Sequence, residues 1–482
     1  MQQSDATVVT TTGGTVRGRE HEHGTVFLSV PYAAPPIGEN RFTAPRPHPG
    51  WAGIRDATRP GPTAPQPLRE KFGTLDMTPF FGPGWIPGDD YLTVNVWAPR
   101  HSGRAHPVMV FVHGGGSIAG SSHGPLYDGS AFQRDGVVLV TVNHRLGVPG
   151  FLHLPDAPDN RGMLDVRAAL RWVRDNIGEF GGDRANVTLF GQSAGATLVG
   201  GLLADVASTG LFRRVIVQSG AQAFTPEQAG VVTEAVGREL GLVPSAKALA
   251  DVPDEHFVAV LPHLNGLDLR TATAHDPLGG ITRFGLVSEE QPAAVIARGA
   301  GAEADLLIGS NLDEGRLYLA PLGLLKDSTL DDVREAAERF SSRPDAFVDD
   351  LLRKHSAVGL DELRAIVLTH GLFGAATEAL AAAHAASSSR RTFRYQFAWQ
   401  SAALGGRLGA SHVMELPFVF ETLSLPALYG DNGLLGDVEP PTQLAAEVHR
   451  TWVRFARTGS PDWPGHRERG YVEPLGLGSA AR

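Results

Sequence analysis

Residues 187–195 read Val187-Thr188-Leu189-Phe190-Gly191-Gln192-Ser193-Ala194-Gly195, and a run of small residues, 196–207, follows them. The first four form a short apolar stretch that reads as a buried strand, and the run after Gly195 reads as a helix. A strand that enters a helix through Gly-x-Ser-x-Gly must turn sharply. The serine is then held in a strained conformation above the sheet edge, and the flanking glycines let neighbouring backbone pass without side-chain clash. The pentapeptide alone is a weak signal; the strand before it and the helix after it make it specific.

Outward from this turn, further strand-like runs lie at Leu92–Trp97, Val108–Val112, Val137–Val142, Val215–Val217, Leu306–Ile308 and Thr392–Trp399. Between Val142 and Val187, the stretch Met163–Phe180 places Leu164, Ala168, Trp172 and Ile177 near helical spacing, which makes a strand–helix–strand crossover. An Ala-rich helix is expected over Ala375–Ala386. The alternation predicts an α/β fold with a central, mostly parallel sheet flanked by helices. Residues 224–301 and 321–372 read as helices and loops without clear strands. They are expected to be helical lid or substrate-pocket insertions within one catalytic domain spanning 1–482. Ten prolines between 31 and 67 withhold backbone donors from any sheet and predict an ordered surface wrap, anchored by Tyr32, Phe42, Trp51 and Ile54.

The chain has 482 residues, 52 acidic and 42 basic, for a net charge of −10, and no cysteine. Disulfides, thiolate nucleophiles and thiolate metal sites are therefore excluded. With no Lys/Arg-rich block, phosphate-backbone binding is not expected, so nucleic acid is not a partner. No apolar run approaches the length of a membrane span, and Met1–Asp5 lacks a basic region followed by an apolar one; no membrane partner and a cytoplasmic location are expected. His21-Glu22-His23 reads as a short polar turn between two strands. With no His-Glu-x-x-His pair or ligand-spaced carboxylate cluster, neither a metal nor an organic cofactor is expected. Asn186-Val187-Thr188 fits a glycosylation acceptor but opens a strand, so it is expected to be unmodified. Trp85 reads either as an aromatic platform at a pocket entrance or as a packed loop anchor.

A serine so placed points to acyl transfer, which needs donors where negative charge develops on the former carbonyl oxygen. His113-Gly114-Gly115-Gly116, directly after the strand Val108–Val112, supplies backbone N–H groups free of side chains, and the N–H of Ala194 adds a third at a helix N-terminus. His113 itself reads as a loop-fixing hydrogen bonder. The serine also needs a base, and the base an acid to orient it. Acids occur just past a strand in Leu306–Gly315, and His412 follows the last long strand. Spacing alone does not separate Glu314 from Asp313, or His412 from His370 and His384, among 18 histidines.

These residues resemble the type-B carboxylesterase (carboxylesterase/cholinesterase) family of α/β-hydrolases in its bacterial form. The resemblance runs from Gly13-Gly14-Thr15-Val16-Arg17-Gly18 to Trp463-Pro464. It includes Phe180-Gly181-Gly182-Asp183 through Gly195, Asp90-Tyr91-Leu92-Thr93-Val94-Asn95-Val96, Asn143-His144-Arg145-Leu146-Gly147 and Gln218-Ser219-Gly220. It implies an α/β-hydrolase fold and the family's roles: Ser193 as nucleophile, Glu314 as acid, His412 as base, and Gly115, Gly116 and Ala194 as oxyanion hole. Ser219 resembles a serine that steadies the acid, and Asp89 or Asp90 is expected to pair with Arg145.

Four departures stand out. Tyr91 replaces a cysteine of the disulfide-bearing members. Gln192 replaces the usual Glu, which removes a negative charge beside the nucleophile and weakens any case for cationic choline esters. Ser117 stands where an aromatic is usual, so a roomier acyl side is expected. Val166 replaces a common Gln, and nothing explains it. The resemblance implies a serine carboxylesterase acting on small-molecule esters through an acyl-enzyme, without cofactor, and a monomer is expected. The competing readings are a non-catalytic binding protein on the same scaffold, or the same triad turned on amides, carbamates or polyesters.

Overall fold

The computed structural model describes residues 7–100, 103–355, 358–467 and 470–477; the opening Met1–Asp5 lies outside them. Its centre is a ten-stranded sheet. In chain order the strands are β1 (Arg19–His21), β2 (Gly24–Pro31), β3 (Thr93–Pro99), β4 (His106–Val112), β5 (Val138–Val142), β6 (Gly182–Gln192), β7 (Arg214–Gln218), β8 (Asp305–Asn311), β9 (Thr392–Phe397) and β10 (Glu473–Leu475). Their spatial order is β10-β9-β8-β7-β6-β4-β5-β3-β2-β1. Neighbours from β10 across to β5 run parallel, whereas β3 pairs antiparallel with both β5 and β2, and β1 antiparallel with β2. The expected α/β architecture is thus observed, and each strand-like run of the sequence lies in this sheet.

Strand periodicity explains how the sheet is buried on both faces. In β4, Val108, Val110 and Val112 join one hydrophobic core, which also holds Leu170 and Val173 of the helix Arg161–Asn176 and Val199 and Leu202 of the helix Ala194–Ala204. The alternate residues Met109 and Phe111 join the opposite core, with Val448, Trp452 and Phe455 of the helix Thr442–Thr458. Every one of these side chains is buried. Near-continuous apolar runs such as Val-Met-Val-Phe-Val are what a two-sided parallel sheet requires.

The proline-rich segment 31–67 is an ordered wrap. Tyr32 and Phe42 are buried, and the Trp51 indole N–H donates to Thr15 O at 2.8 Å. Ile54 departs from expectation: it remains 51% exposed, in a short edge strand of a separate three-stranded sheet. His21-Glu22-His23 sits at the β1–β2 turn, as expected. Helices Leu330–Glu338, Pro344–Lys354 and Leu360–Thr369 share a small third core around Val333, Leu351 and Leu363.

One sequence expectation needs correction. The continuous helical stretch Leu360–Ser387 is long and apolar enough to cross a membrane by composition, with a window of mean hydropathy 1.4. A π-helical turn at His370–Gly374 interrupts it, and Leu363, Val367, Phe373, Leu380 and Ala381 are buried against the rest of the protein. The Ala375–Ala386 helix was expected, but not its continuity with the preceding apolar helix, because alanine raises mean hydropathy without forming an unbroken block of large apolar residues.

Candidate active site

β6 ends at Gln192 and the following helix starts at Ala194, which leaves Ser193 between them at φ 57° and ψ −125°. A non-glycine residue stays in such a region only when its surroundings enforce it. Here the Ser193 N–H donates to Gln218 O on neighbouring β7 at 2.9 Å, and its carbonyl accepts the Thr197 N–H at 2.9 Å. The glycines are a steric requirement. A Cβ on Gly195 would lie 2.1 Å from Val112 O and 2.5 Å from His113 O, and one on Gly191 would lie 2.8 Å from the Gly195 backbone.

The glycine loop after β4 bends back over this turn, with Gly115 at φ 109° and Gly116 at φ 64°. Its path is pinned from outside. Gln66 clamps Gly120, accepting its N–H at 2.7 Å and donating to its carbonyl at 3.0 Å. The Thr282 hydroxyl donates to Gly116 O at 2.8 Å, and the Gly147 N–H donates to Ser117 O at 2.8 Å. Among the described residues, the Gly115 and Gly116 N–H groups donate to no other protein group. The Ala194 N–H, in the first turn of its helix, has no intrahelical acceptor. All three residues line one cavity of about 260 Å³ together with Ser193, Gln192 and His412.

His412 lines this cavity and meets Glu314 behind it, both buried, with Nδ1 2.5 Å from Oε2. The second carboxylate oxygen accepts the Ser219 hydroxyl at 2.5 Å and the Asn311 N–H at 2.7 Å. With Nδ1–H committed to Glu314, Nε2 carries the lone pair. It lies 3.3 Å from the Gln192 carboxamide nitrogen, while Ser193 Oγ makes no hydrogen bond among the described residues. Phe373 covers one face of the imidazole. Behind Glu314 sits a second buried carboxyl, Glu415, which accepts from Gln218 at 3.0 Å and Asn311 at 2.7 Å. Burial, and then the nearby Glu314, push its pKa up.

The other candidates that spacing left open have different surroundings. Asp313 accepts the Ala410 N–H at 2.9 Å and the Gln400 carboxamide at 3.0 Å, and so fixes the loop that carries His412. His384 is buried between the Thr392 hydroxyl and Ala304 O; His370 packs on Phe347. Neither lines the cavity. His113 is a loop fixer: its Nδ1–H donates to Gly114 O at 2.8 Å and its ring stacks on His144, centroids 4.8 Å apart. Burial, then the neighbouring His144, brings the His113 pKa down to about 3, and burial brings His144 to about 4.

One expectation fails, and of the two readings of Trp85 the platform in the cavity is not the one observed. Arg145 does not pair with Asp89 or Asp90. It is bound by Asp165 at 2.8 and 2.6 Å, with both side chains fully buried, while Asp90 pairs with Arg55 at 2.8 Å. The local sequence hid this because Asp165 is 20 residues downstream, on a helix that packs behind the Arg145 loop. Trp85 is absent from the cavity lining and is a half-buried loop residue. Sequence reasoning also missed Gln66, Thr282, Asn311 and Phe373. Only Asn311 carried a signal, since it ends the strand that leads to Glu314.

Comparison with known proteins gives the following. The model of the Carboxylesterase family matches residues 5–471. A para-nitrobenzyl esterase from Bacillus subtilis (strain 168) is 35% identical over 486 residues, covering 96% of this chain and 93% of the relative. A fumonisin B1 esterase from Sphingopyxis macrogoltabida is 34% identical, covering 97% and 86%. A solved structure described as a PNB esterase superposes with a TM-score of 0.81 at 32% identity, covering 98% of this chain and 96% of the other.

Proposed function

The chain belongs to the type-B carboxylesterase family and is a carboxylic ester hydrolase, and we propose that it works as a serine esterase with Ser193 as nucleophile, His412 as base and Glu314 as orienting acid. The observation that carries this reading is the 2.5 Å Glu314–His412 contact beside a strained serine, in one cavity with the glycine loop.

His412 Nε2 takes the proton of Ser193 Oγ as Oγ attacks the ester carbonyl carbon. The Gln192 carboxamide now at Nε2 gives way by a side-chain rotation. Negative charge on the carbonyl oxygen is received by the N–H groups of Gly115 and Gly116, in the loop held by Gln66 and Thr282, and of Ala194 at the start of its helix. The alcohol leaves with the proton from His412, and water repeats the sequence on the acyl-enzyme. Ser219 and Asn311 keep the carboxylate aligned on Nδ1.

We assign residues 224–301 the substrate-facing wall, since Leu278, Ile281, Thr282, Phe284 and Leu286 line the cavity. The 321–372 helices support Tyr318 and Phe373 from behind. Small esters are the substrates on this reading. The test is Ser193→Ala, which should abolish turnover of a short-chain para-nitrophenyl ester and covalent labelling by an organophosphate. Retained turnover would refute the mechanism.

A further inference from the structure

The cavity holding Ser193 is lined mainly by apolar side chains, among them Phe72, Phe80, Leu278 and Phe284. Its charged lining is one-sided. Arg69 and Lys71 face it, and no aspartate or glutamate does, in a chain whose net charge is −10. Gln192, a neutral side chain, stands beside His412 in the same lining.

Arg69 is not used by the protein itself. Among the described residues it makes no ion pair, and no hydrogen bond from its guanidinium is formed. The contrast with the fully buried arginines is sharp. Arg145 is bound by Asp165 and two carbonyls, and Arg161 by four carbonyls. Burial pulls the Arg69 pKa below its ordinary value, and the one group opposing this is the Tyr318 hydroxyl rather than a carboxylate. Lys71 lies opposite Asp76 in a two-residue hairpin pairing. No ion pair forms there either, and Asp76 Oδ1 is taken by the N–H and hydroxyl of Thr78. Arg69 is half-buried at the edge of an apolar cavity, so its guanidinium donors, which no protein group uses, are open to a ligand. A planar five-donor fork is suited to a carboxylate.

We propose that the substrate is an ester with an apolar body and a free carboxylate, and that Arg69, assisted by Lys71 at the rim, binds that carboxylate. This rests on the esterase reading of the same cavity and names its substrate class. Arg69 also lines a second, adjoining cleft beside Leu68, Leu264 and Thr282. The carboxylate is therefore held where the two clefts meet, between Tyr318 and the Thr282 side of the glycine loop.

The test has a binding arm and a kinetic arm. Calorimetry compares phenylbutyrate with phenylbutyramide on the wild type, Arg69→Lys and Arg69→Met. Kinetics compares the mono-para-nitrophenyl ester of glutarate with its methyl-capped counterpart, and para-acetoxybenzoate with its methyl ester, after subtraction of uncatalysed rates. The carboxylates should be preferred by about tenfold or more in binding and in at least one kinetic pair. The preference should shrink in Arg69→Lys, collapse in Arg69→Met, and narrow at high salt. Equal binding of acid and amide, or a preference that survives Arg69→Met, would overturn the proposal. If no ester is turned over at all, the esterase reading falls, and the binding arm still judges the carboxylate site.

Discussion

Phe373 lies flat on His412: the ring centroids are 4.3 Å apart and the planes 6° from parallel. Glu314 holds one edge of the imidazole and Phe373 one face, so the ring has little freedom to tilt. Phe373 comes from the π-helical turn at His370–Gly374, where an extra residue in the helical turn re-aims side chains.

The stack should matter for rate. Aromatic pairs contribute about 0.5–1.5 kcal/mol beyond area burial, so Phe373→Leu should lower kcat/KM by about threefold to tenfold. Phe373→Tyr should retain most activity. Full activity in the leucine variant would show that Glu314 alone orients the ring.

Ser219 donates to the Glu314 oxygen that His412 does not use. A hydrogen bond to a charged group contributes about 1.5–3 kcal/mol, so Ser219→Ala should cost about tenfold or more in kcat with KM little changed. Glu314→Gln should cost far more, about a thousandfold or beyond, because the orienting charge itself is lost. Equal losses in the two variants would mean that Ser219 acts through the fold and not through the carboxylate.

The Arg145–Asp165 pair ties the loop after β5 to the helix Arg161–Asn176, and Arg145 also donates to Arg41 O and Thr43 O at 3.1 and 2.8 Å. Removing one partner of a buried pair leaves an unmet charge, which costs about 3–5 kcal/mol. Asp165→Leu should therefore destabilise strongly in denaturant titrations. The double variant Arg145→Met with Asp165→Leu should recover part of that loss. Simple additivity of the two single losses would contradict the coupling.

His113 and His144 stay neutral in the fold well below the pH at which an unfolded imidazole is protonated. From about pH 6.5 downward the unfolded chain binds protons that the folded one does not, so stability falls as pH falls, by about 2 kcal/mol per buried histidine at pH 5. The contribution is fully present above the unfolded pKa. Glu415, with its pKa raised, acts in the opposite sense. Urea midpoints at pH 7.5 and pH 5 should therefore differ, and His144→Phe should reduce the difference. A variant with the same pH response as wild type would rule out this origin.

What was legible in the sequence follows from locality. The elbow, the crossover helix and the two-sided strands each depend on residues within one window, and all lie where they were expected. Glu314 and His412 were not separable from Asp313, His370 and His384 by spacing. Their selection depends on which loop ends converge above β7 and β8, a property of the assembled sheet. Gln66, Phe373 and Arg69 gave no local signal. Each acts on a neighbour far along the chain, and a glutamine among prolines, a phenylalanine in an apolar helix or an arginine in a loop looks ordinary until the partner is in place.

The proline-rich wrap has a consequence for how the molecule is made. Its Arg41 guanidinium reaches Ala250 O, Val252 O and Asp254, separated from it by 209, 211 and 213 residues, and Gln66 farther along the same wrap sets the glycine loop. During synthesis the wrap thus cannot make these contacts until the middle of the chain has followed it. The glycine loop, which Gln66 clamps from the same wrap, is therefore held from that side only once residues 209 or more positions beyond Arg41 have been made and docked.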